Sequence, residues 1–273
     1  MTVSVNGAEL FYSTRGNGPL CLVLSGIGTK PYERMTPPQL TDRFTLAYVA
    51  LRGSGESTGE PTDLTFDMLA EDLEAIRADL EVARIAVLGH SITSVLAIEY
   101  GRRCPESVSH VITAGALPSG DMTRLAAKAT AFFERDASEE RKQILRDNLA
   151  KLPAGASPGQ FMFAQTPMRY FAPRFDAVAL FAEAIARPEF LQHVLGPLTQ
   201  DWDVTASSSG LRVPLFLAHG RYDYIVPYVL WDGIPAQLPN ATLEIFERSG
   251  HQPFFEEPDR FVAAVTDWMA RET

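Results

Sequence analysis

The stretch Ile85-Ala86-Val87-Leu88-Gly89-His90-Ser91-Ile92-Thr93-Ser94-Val95 decides the reading of the chain. Ile85 to Leu88 is a short apolar run of the kind that forms a buried strand, and Ile92 to Arg103 follows an amphipathic helical pattern. Gly89-His90-Ser91 must therefore reverse the chain within a few residues. A turn that sharp lifts the Ser91 hydroxyl clear of the backbone at the strand's C-terminal end, beside a helix N-terminus whose amides collect negative charge. Gly89 supplies one of the small residues such a bend needs. Thr93 stands where the pattern G-x-S-x-G has its second glycine, so a β-branched side chain must find room against the sheet.

Working outward, the same strand-then-helix rhythm recurs. Upstream lie apolar runs at Leu20 to Leu24 and Thr45 to Ala50, then a helix over about Thr65 to Leu80 striped by Phe66, Leu69, Leu73, Ile76 and Leu80. Downstream comes a strand at Val108 to Thr113. Strands alternating with helices predict a mostly parallel sheet covered on both faces. At the start, Val3 to Val5 and Leu10 to Ser13 flank Asn6-Gly7, a hairpin signal, so the sheet opens antiparallel. The rhythm stops near Leu117 and resumes at Val213 to Ala218, followed by a helix after Pro227, a strand over Thr242 to Phe246 and a last helix from Pro258 to about Arg271. The intervening residues read as helical pieces punctuated by prolines, too long for a plain loop. The expected organisation is an α/β core from 1–117 and 207–273, with a helical lid inserted at 118–206 and a hinge at Ser207 to Gly210.

Composition narrows the function. The 273 residues carry 24 Lys plus Arg against 34 Asp plus Glu, a net charge of -10 that argues against a nucleic-acid partner, which needs a basic footprint. The two cysteines, Cys21 and Cys104, sit in no CxxC or Cys/His cluster and are expected as reduced thiols. The first residues show no secretory h-region, and no apolar run approaches the roughly 20 residues that span a bilayer, which predicts a soluble cytoplasmic protein without a membrane partner. No HExxH, carboxylate cluster or GxGxxG after a strand appears, so no metal and no cofactor is expected.

A serine hydroxyl needs a neighbouring base, itself oriented by a carboxylate, and for this kind of turn the chain order is Ser, acid, His. Asp223 follows the apolar run that begins at Leu215, and His251 lies in a glycine-bearing loop after the last strand. Both loops would open on the same sheet edge as Ser91. Leu24-Ser25-Gly26-Ile27-Gly28 follows an early strand, and the backbone N–H groups of Ile27 and Ile92 are the candidate oxyanion donors. Taken singly, Ser91 could be a helix N-cap, Asp223 a cap of the following helix and His251 a loop histidine. Together and in order, they point to nucleophilic catalysis.

These motifs resemble the α/β-hydrolase family, and within it the proline iminopeptidase-like serine hydrolases. The resemblance rests on Gly89-His90-Ser91, on Leu51-Arg52-Gly53-Ser54-Gly55-Glu56-Ser57, on Gly220-Arg221-Tyr222-Asp223 through Pro227, and on Gly250-His251-Gln252-Pro253 through Pro258. It implies an eight-stranded α/β-hydrolase fold and a serine hydrolase that cleaves an ester or amide bond of a small-molecule or short-peptide substrate through an acyl-enzyme. It also implies that Arg52 braces the loop beside the nucleophile. Three positions depart from the pattern: Ser25 replaces the usual His of His-Gly, Ala50 stands where Asp often precedes Leu-Arg-Gly, and Thr93 replaces the elbow glycine. Because all three border the reacting centre, a carboxylesterase or lactonase, or a lyase or cyclase using the same groups, stays open beside proline removal, as does a ligand-binding receptor.

Pocket residues are harder to read. Tyr224, Trp231 and Phe171 are the candidate substrate contacts, against the alternative that aromatics at such spacing are core. An aminopeptidase would need an acid for the substrate ammonium, and Asp176, Glu183, Glu189, Asp201 and Asp203 are the lid's candidates. Glu256 could serve that purpose or bond to the His251 loop, and His90, His110 and His219 read as packing residues.

Overall fold

A computed structural model describes residues 1–206 and 211–272; the expected hinge at Ser207 to Gly210 lies outside them. Eight strands, β1 (Thr2–Val5), β2 (Ala8–Arg15), β3 (Leu20–Ser25), β4 (Thr45–Ala50), β5 (Ile85–His90), β6 (Val108–Ala114), β7 (Leu215–Gly220) and β8 (Ala241–Phe246), form one sheet in the order β1-β2-β4-β3-β5-β6-β7-β8. β1, β2 and β4 pair antiparallel, and every later pairing is parallel. Asn6 and Gly7 both take positive φ, 47° and 76°, as a two-residue hairpin turn requires.

Successive residues of the parallel strands feed two cores. Leu22 and Leu24 of β3 pack with Leu69, Leu73 and Ile76 of the helix Phe66–Asp79 and with Val95, Leu96 and Ile98 of the helix Thr93–Arg103. Cys21 and Val23 pack on the other face with Tyr32, with Phe216 of β7, and with Phe261, Val265 and Trp268 of the helix Pro258–Arg271. Both faces are covered, which is why the central strands are continuously apolar. The chain runs from β3 to β4 on one side and to β5 on the other, so the carboxyl ends of β3 and β5 flank a topological switch point, where open α/β sheets bind ligands.

Between β6 and β7 the chain leaves the sheet and forms the helices Met122–Asp136, Glu139–Ala150, Pro158–Ala164, Thr166–Arg169 and Pro188–Leu195. Its two stems are zipped together: Gly120 N donates to Trp202 O at 2.7 Å and Val204 N to Pro118 O at 3.0 Å. Arg141 organises the inside of this cap, donating Nη1 to Pro167 O and Tyr170 O and Nη2 to Phe171 O at 2.7–2.8 Å. The helix expected after Pro227 is not formed. Short 3-10 turns at Tyr228–Trp231 and Pro235–Gln237 replace it, because Gly233 and Pro235 interrupt the run and Trp231 is drawn into the core, its Nε1 donating to Ala116 O at 2.8 Å.

Arg52 is a brace. Its guanidinium forms a two-bond, almost fully buried ion pair with Asp72 and donates to Val5 O at 3.1 Å and Asn6 O at 3.2 Å, tying the loop after β4 to the hairpin and to the helix Phe66–Asp79. Asp72→Ala would leave that cation buried and unpaired, a loss of about 3–5 kcal/mol. Urea denaturation should register it as a lowered midpoint with an unchanged slope.

Candidate active site

Ser91 has φ 55°, in the left-handed region that a non-glycine residue rarely occupies. Its N–H donates to Ala114 O at 2.9 Å, so the turn hangs from the end of β6. Gly89 is needed for close approach: a Cβ there would lie 2.5 Å from Thr93 O and 2.6 Å from Ser94 Cα. Thr93 finds its room by bonding. Its Oγ1 accepts from His90 N at 2.9 Å and reaches His90 O at 2.9 Å and Leu24 O at 3.2 Å, closing the turn on itself and on β3. The departure from glycine is thus a hydroxyl that satisfies the buried His90 N–H and shares its one proton between two buried carbonyl oxygens. Thr93→Val, nearly the same shape, should cost about 1–3 kcal/mol in thermal or denaturant unfolding by stranding the His90 N–H.

Asp223 is fully buried and uses both oxygens. Oδ1 accepts from Ile225 N at 3.0 Å and Val226 N at 2.9 Å, capping the turn after β7, while Oδ2 bonds His251 Nδ1 at 2.7 Å. The capping role and the role of orienting the imidazole are both present in one side chain. With Nδ1 engaged, Nε2 is the nitrogen left to exchange a proton. Gly115, at φ 56°, follows β6 beneath this pair; a Cβ there would stand 2.8 Å from His251 Nδ1 and 3.3 Å from Asp223 Oδ2. The Ala114-Gly115 step therefore anchors both Ser91, through a backbone bond, and His251, through packing.

Four further contacts fix the His251 loop. His251 N donates to Arg169 O of the cap at 2.6 Å. Glu256 accepts from Gly250 N and from Phe171 N of the cap, each at 2.7 Å. His90 Nε2 lies 3.0 Å from His251 O, and His90 Nδ1 lies 3.0 Å from the Tyr32 hydroxyl. Because a carbonyl only accepts, Nε2 carries the His90 proton and Nδ1 accepts from Tyr32. Burial holds this imidazole well below the usual histidine pKa, in keeping with that neutral tautomer. His90 is thus a packing residue that also positions the neighbouring loop. His110 and His219 are buried against Trp268 and Trp231, and burial lowers His219 to about 4.

The oxyanion candidates differ. Ile92 precedes the helix Thr93–Arg103, where leading N–H groups have no intrahelical acceptor. The Ile27 N–H is engaged at 3.2 Å by Ser25 Oγ, which itself donates to Gly28 O at 2.6 Å. Ile185 N of the cap covers the same loop by donating to Ile27 O at 2.9 Å.

None of the three aromatic contact candidates stands as a free wall beside Ser91. Tyr224 is buried with Phe132 and Phe133, its hydroxyl on Asp136 Oδ2 at 2.9 Å; Trp231 is sealed in the core. Phe171 packs on Tyr222 and under the Arg248 guanidinium, lining a hollow of about 330 Å³ with Glu256 to Arg260. Tyr32, Gly115 and Arg169 border the triad candidates without any sequence signal that isolates them.

Burial raises the Glu256 carboxyl from 4.5 to about 7, although hydrogen bonds from the backbone of Phe171, Gly250 and Gln252 pull the other way. The folded chain then keeps this proton over a range in which the unfolded chain has lost it. Stability of the wild type, relative to Glu256→Gln, should fall as pH rises from about 4.5 to about 7. Paired urea titrations across that window check the sign.

Residues 19–258 match the family model described as alpha/beta hydrolase fold. The chain is 28% identical over 273 residues to the AB hydrolase superfamily protein YclE of Bacillus subtilis, covering 97% of this chain and 96% of that one. It is 28% identical over 270 residues to a pimeloyl-[acyl-carrier protein] methyl ester esterase of Nitrosomonas europaea, covering 94% and 98%. Among solved structures, the proline iminopeptidase of Mycobacterium smegmatis superposes with a TM-score of 0.73 at 20% identity, covering 100% and 98% of the two chains. With the eight-stranded sheet, the turn after β5 and a family match over most of its length, the chain belongs to the α/β-hydrolase fold family of enzymes.

Proposed function

We propose that this protein is a serine hydrolase that cleaves an ester bond of a small substrate through an acyl-enzyme on Ser91. The observation that carries the reading is the buried His251 Nδ1 to Asp223 Oδ2 bond of 2.7 Å, anchored on the same Ala114-Gly115 step as the left-handed Ser91. In this mechanism Ser91 Oγ attacks the substrate carbonyl carbon as its proton passes to His251 Nε2, and Asp223 stabilises the imidazolium. The carbonyl oxygen becomes an oxyanion facing the Ile92 N–H and, if Ser25 Oγ yields it, the Ile27 N–H. The departing alkoxide takes the proton from His251, which then removes one from water as the hydroxyl adds to the acyl carbon; collapse of that adduct breaks the acyl–Ser91 Oγ bond, and His251 returns the proton to Ser91 Oγ.

Proline iminopeptidases are among the relatives, but an exopeptidase needs a carboxylate for the substrate's ammonium. Asp176, Glu189 and Asp201 are exposed, Glu183 pairs with Arg34, and Asp203 Oδ1 is taken by Thr205 N and Oγ1. Both Glu256 oxygens accept backbone N–H groups. Those placements favour esters or lactones over amino-terminal peptides.

One observation supports a non-hydrolytic reading, in which Ser91 and His251 act as acid and base of a lyase or cyclase. The Ile27 N–H already has an acceptor in Ser25 Oγ. Mass spectrometry after fluorophosphonate treatment separates the two. An adduct on Ser91 in the wild type, absent from Ser91→Ala, supports acyl transfer; intact unlabelled protein supports the alternative. With labelling established, Asp223→Asn should lower kcat on p-nitrophenyl esters by about 10³–10⁴-fold, since the imidazole then loses its orientation and its counter-ion.

A further inference from the structure

The cap segment that holds His251 also carries a cation without a counter-ion. Arg169 gives its carbonyl to His251 N at 2.6 Å, so its backbone lies within one hydrogen bond of the candidate base. Its Nε is sealed from solvent and has no hydrogen-bond partner. Its one hydrogen bond among the described residues runs from Nη2 to the neutral Gln165 Oε1 at 3.2 Å, and no carboxylate comes within ion-pair distance. The residue as a whole keeps intermediate exposure, and of its three guanidinium nitrogens only Nε is both sealed and unpartnered.

The contrast with the other inward cation of the cap is instructive. Arg141 is saturated by three carbonyl oxygens and sits over the Tyr222 and Tyr224 rings. It is a structural arginine. Arg169 has no such set, in a chain whose net charge of -10 offers ten more acids than bases from which a partner could have come. A desolvated guanidinium next to a reaction centre is costly unless an anion arrives to pair with it, and its planar fork suits a carboxylate. Desolvation lowers its pKa against the opposing pull of the Asp223 carboxylate, and its charge adds to the burial that lowers His90, so Arg169 lies within electrostatic range of the site.

We propose that Arg169 is the specificity-determining residue of this site, receiving a carboxylate carried by the substrate, so that the esters or lactones it turns over are anionic. The inference rests on the serine-hydrolase reading for its chemistry and on the geometry of Arg169 alone for the binding.

The experiment compares p-nitrophenyl hydrogen glutarate with its neutral methyl ester in wild type, Arg169→Gln and Arg169→Lys. The ratio of kcat/KM for the anionic over the neutral ester should fall by about 10- to 100-fold in Arg169→Gln, chiefly through KM, the range for losing a hydrogen bond to a charged group. Arg169→Lys should restore part of it. A merely structural role would lower both esters together and leave the ratio unmoved, which overturns the proposal. Independently of turnover, glutarate should raise the Tm of the wild type, glutaramide should not, and Arg169→Gln should lose the glutarate shift. If Ser91 resists fluorophosphonate while the glutarate shift persists, the hydrolase reading fails and the anion site stands. If Ser91 is labelled but neither the ratio nor the Tm distinguishes anion from neutral, the anion site fails alone.

Discussion

The proposed reaction centre hangs on the one-residue reversal at Ser91. A left-handed backbone at a residue with a Cβ costs on the order of 1–3 kcal/mol, and it persists only where its surroundings over-determine it. Here three strands do so. Ser91 N is bound to Ala114 O at the end of β6, Thr93 Oγ1 reaches Leu24 O at the end of β3, and Gly89 in β5 lets the first turn of the helix close on the strand. The reversal is thus fixed at the switch point of the sheet, beside the end of β3, from which the loop Ser25–Gly28 leaves. A hydroxyl held by rigid elements needs little reorganisation to meet a carbonyl carbon.

Why much of this was legible in the sequence follows from which interactions are local. The period of Leu69, Leu73 and Ile76, the continuous apolar runs of β3, β5 and β7, and the Asn6-Gly7 turn each encode their element within a few residues. Asp223 and His251 lie on the loops after β7 and β8, at the same sheet edge as the turn after β5, because parallel strands send every following loop to one edge. The cap obeys no such rule. Its helices are short and proline-broken, and their docking depends on contacts such as Arg141 with the carbonyls of 167–171, which no spacing announces. For that reason Tyr224 and Trp231, which read as a pocket wall, are packing residues, Phe171 lines a hollow with Arg248 and Glu256 instead, and no spacing singles out Arg169. After Pro227 an apolar pattern suggested a helix, but Gly233 and Pro235 limit it to single turns.

Thr93 and Ser25 show that a departure from a motif has two possible fates. Thr93 replaces glycine and contributes: its hydroxyl supplies bonds that the glycine form lacks, and the turn is kept. Ser25 replaces histidine and competes: its hydroxyl holds the Ile27 N–H that an oxyanion would need. At 3.2 Å this neutral bond is long, and a developing oxyanion is a stronger acceptor than a hydroxyl, so charge development can draw the N–H away from Ser25. An amide that switches acceptor as charge appears stabilises the transition state more than the ground state, which is the condition for lowering a barrier.

The His251 loop is held as much by the cap as by the sheet. Asp223 and His90 fix it from the sheet side, while Arg169 O and the Glu256 bridge to Phe171 N fix it from the cap side. Any displacement of the segment 169–171 must either break these bonds or carry the imidazole with it. If His251 is the base and Arg169 the anion site proposed above, substrate affinity and base alignment are coupled through one short stretch of chain, because an anion drawn to the Arg169 side chain would seat the same residue whose carbonyl holds His251. Binding energy from a group remote from the scissile bond can in this way be spent on aligning the base, and a ligand lacking that group forgoes alignment as well as affinity.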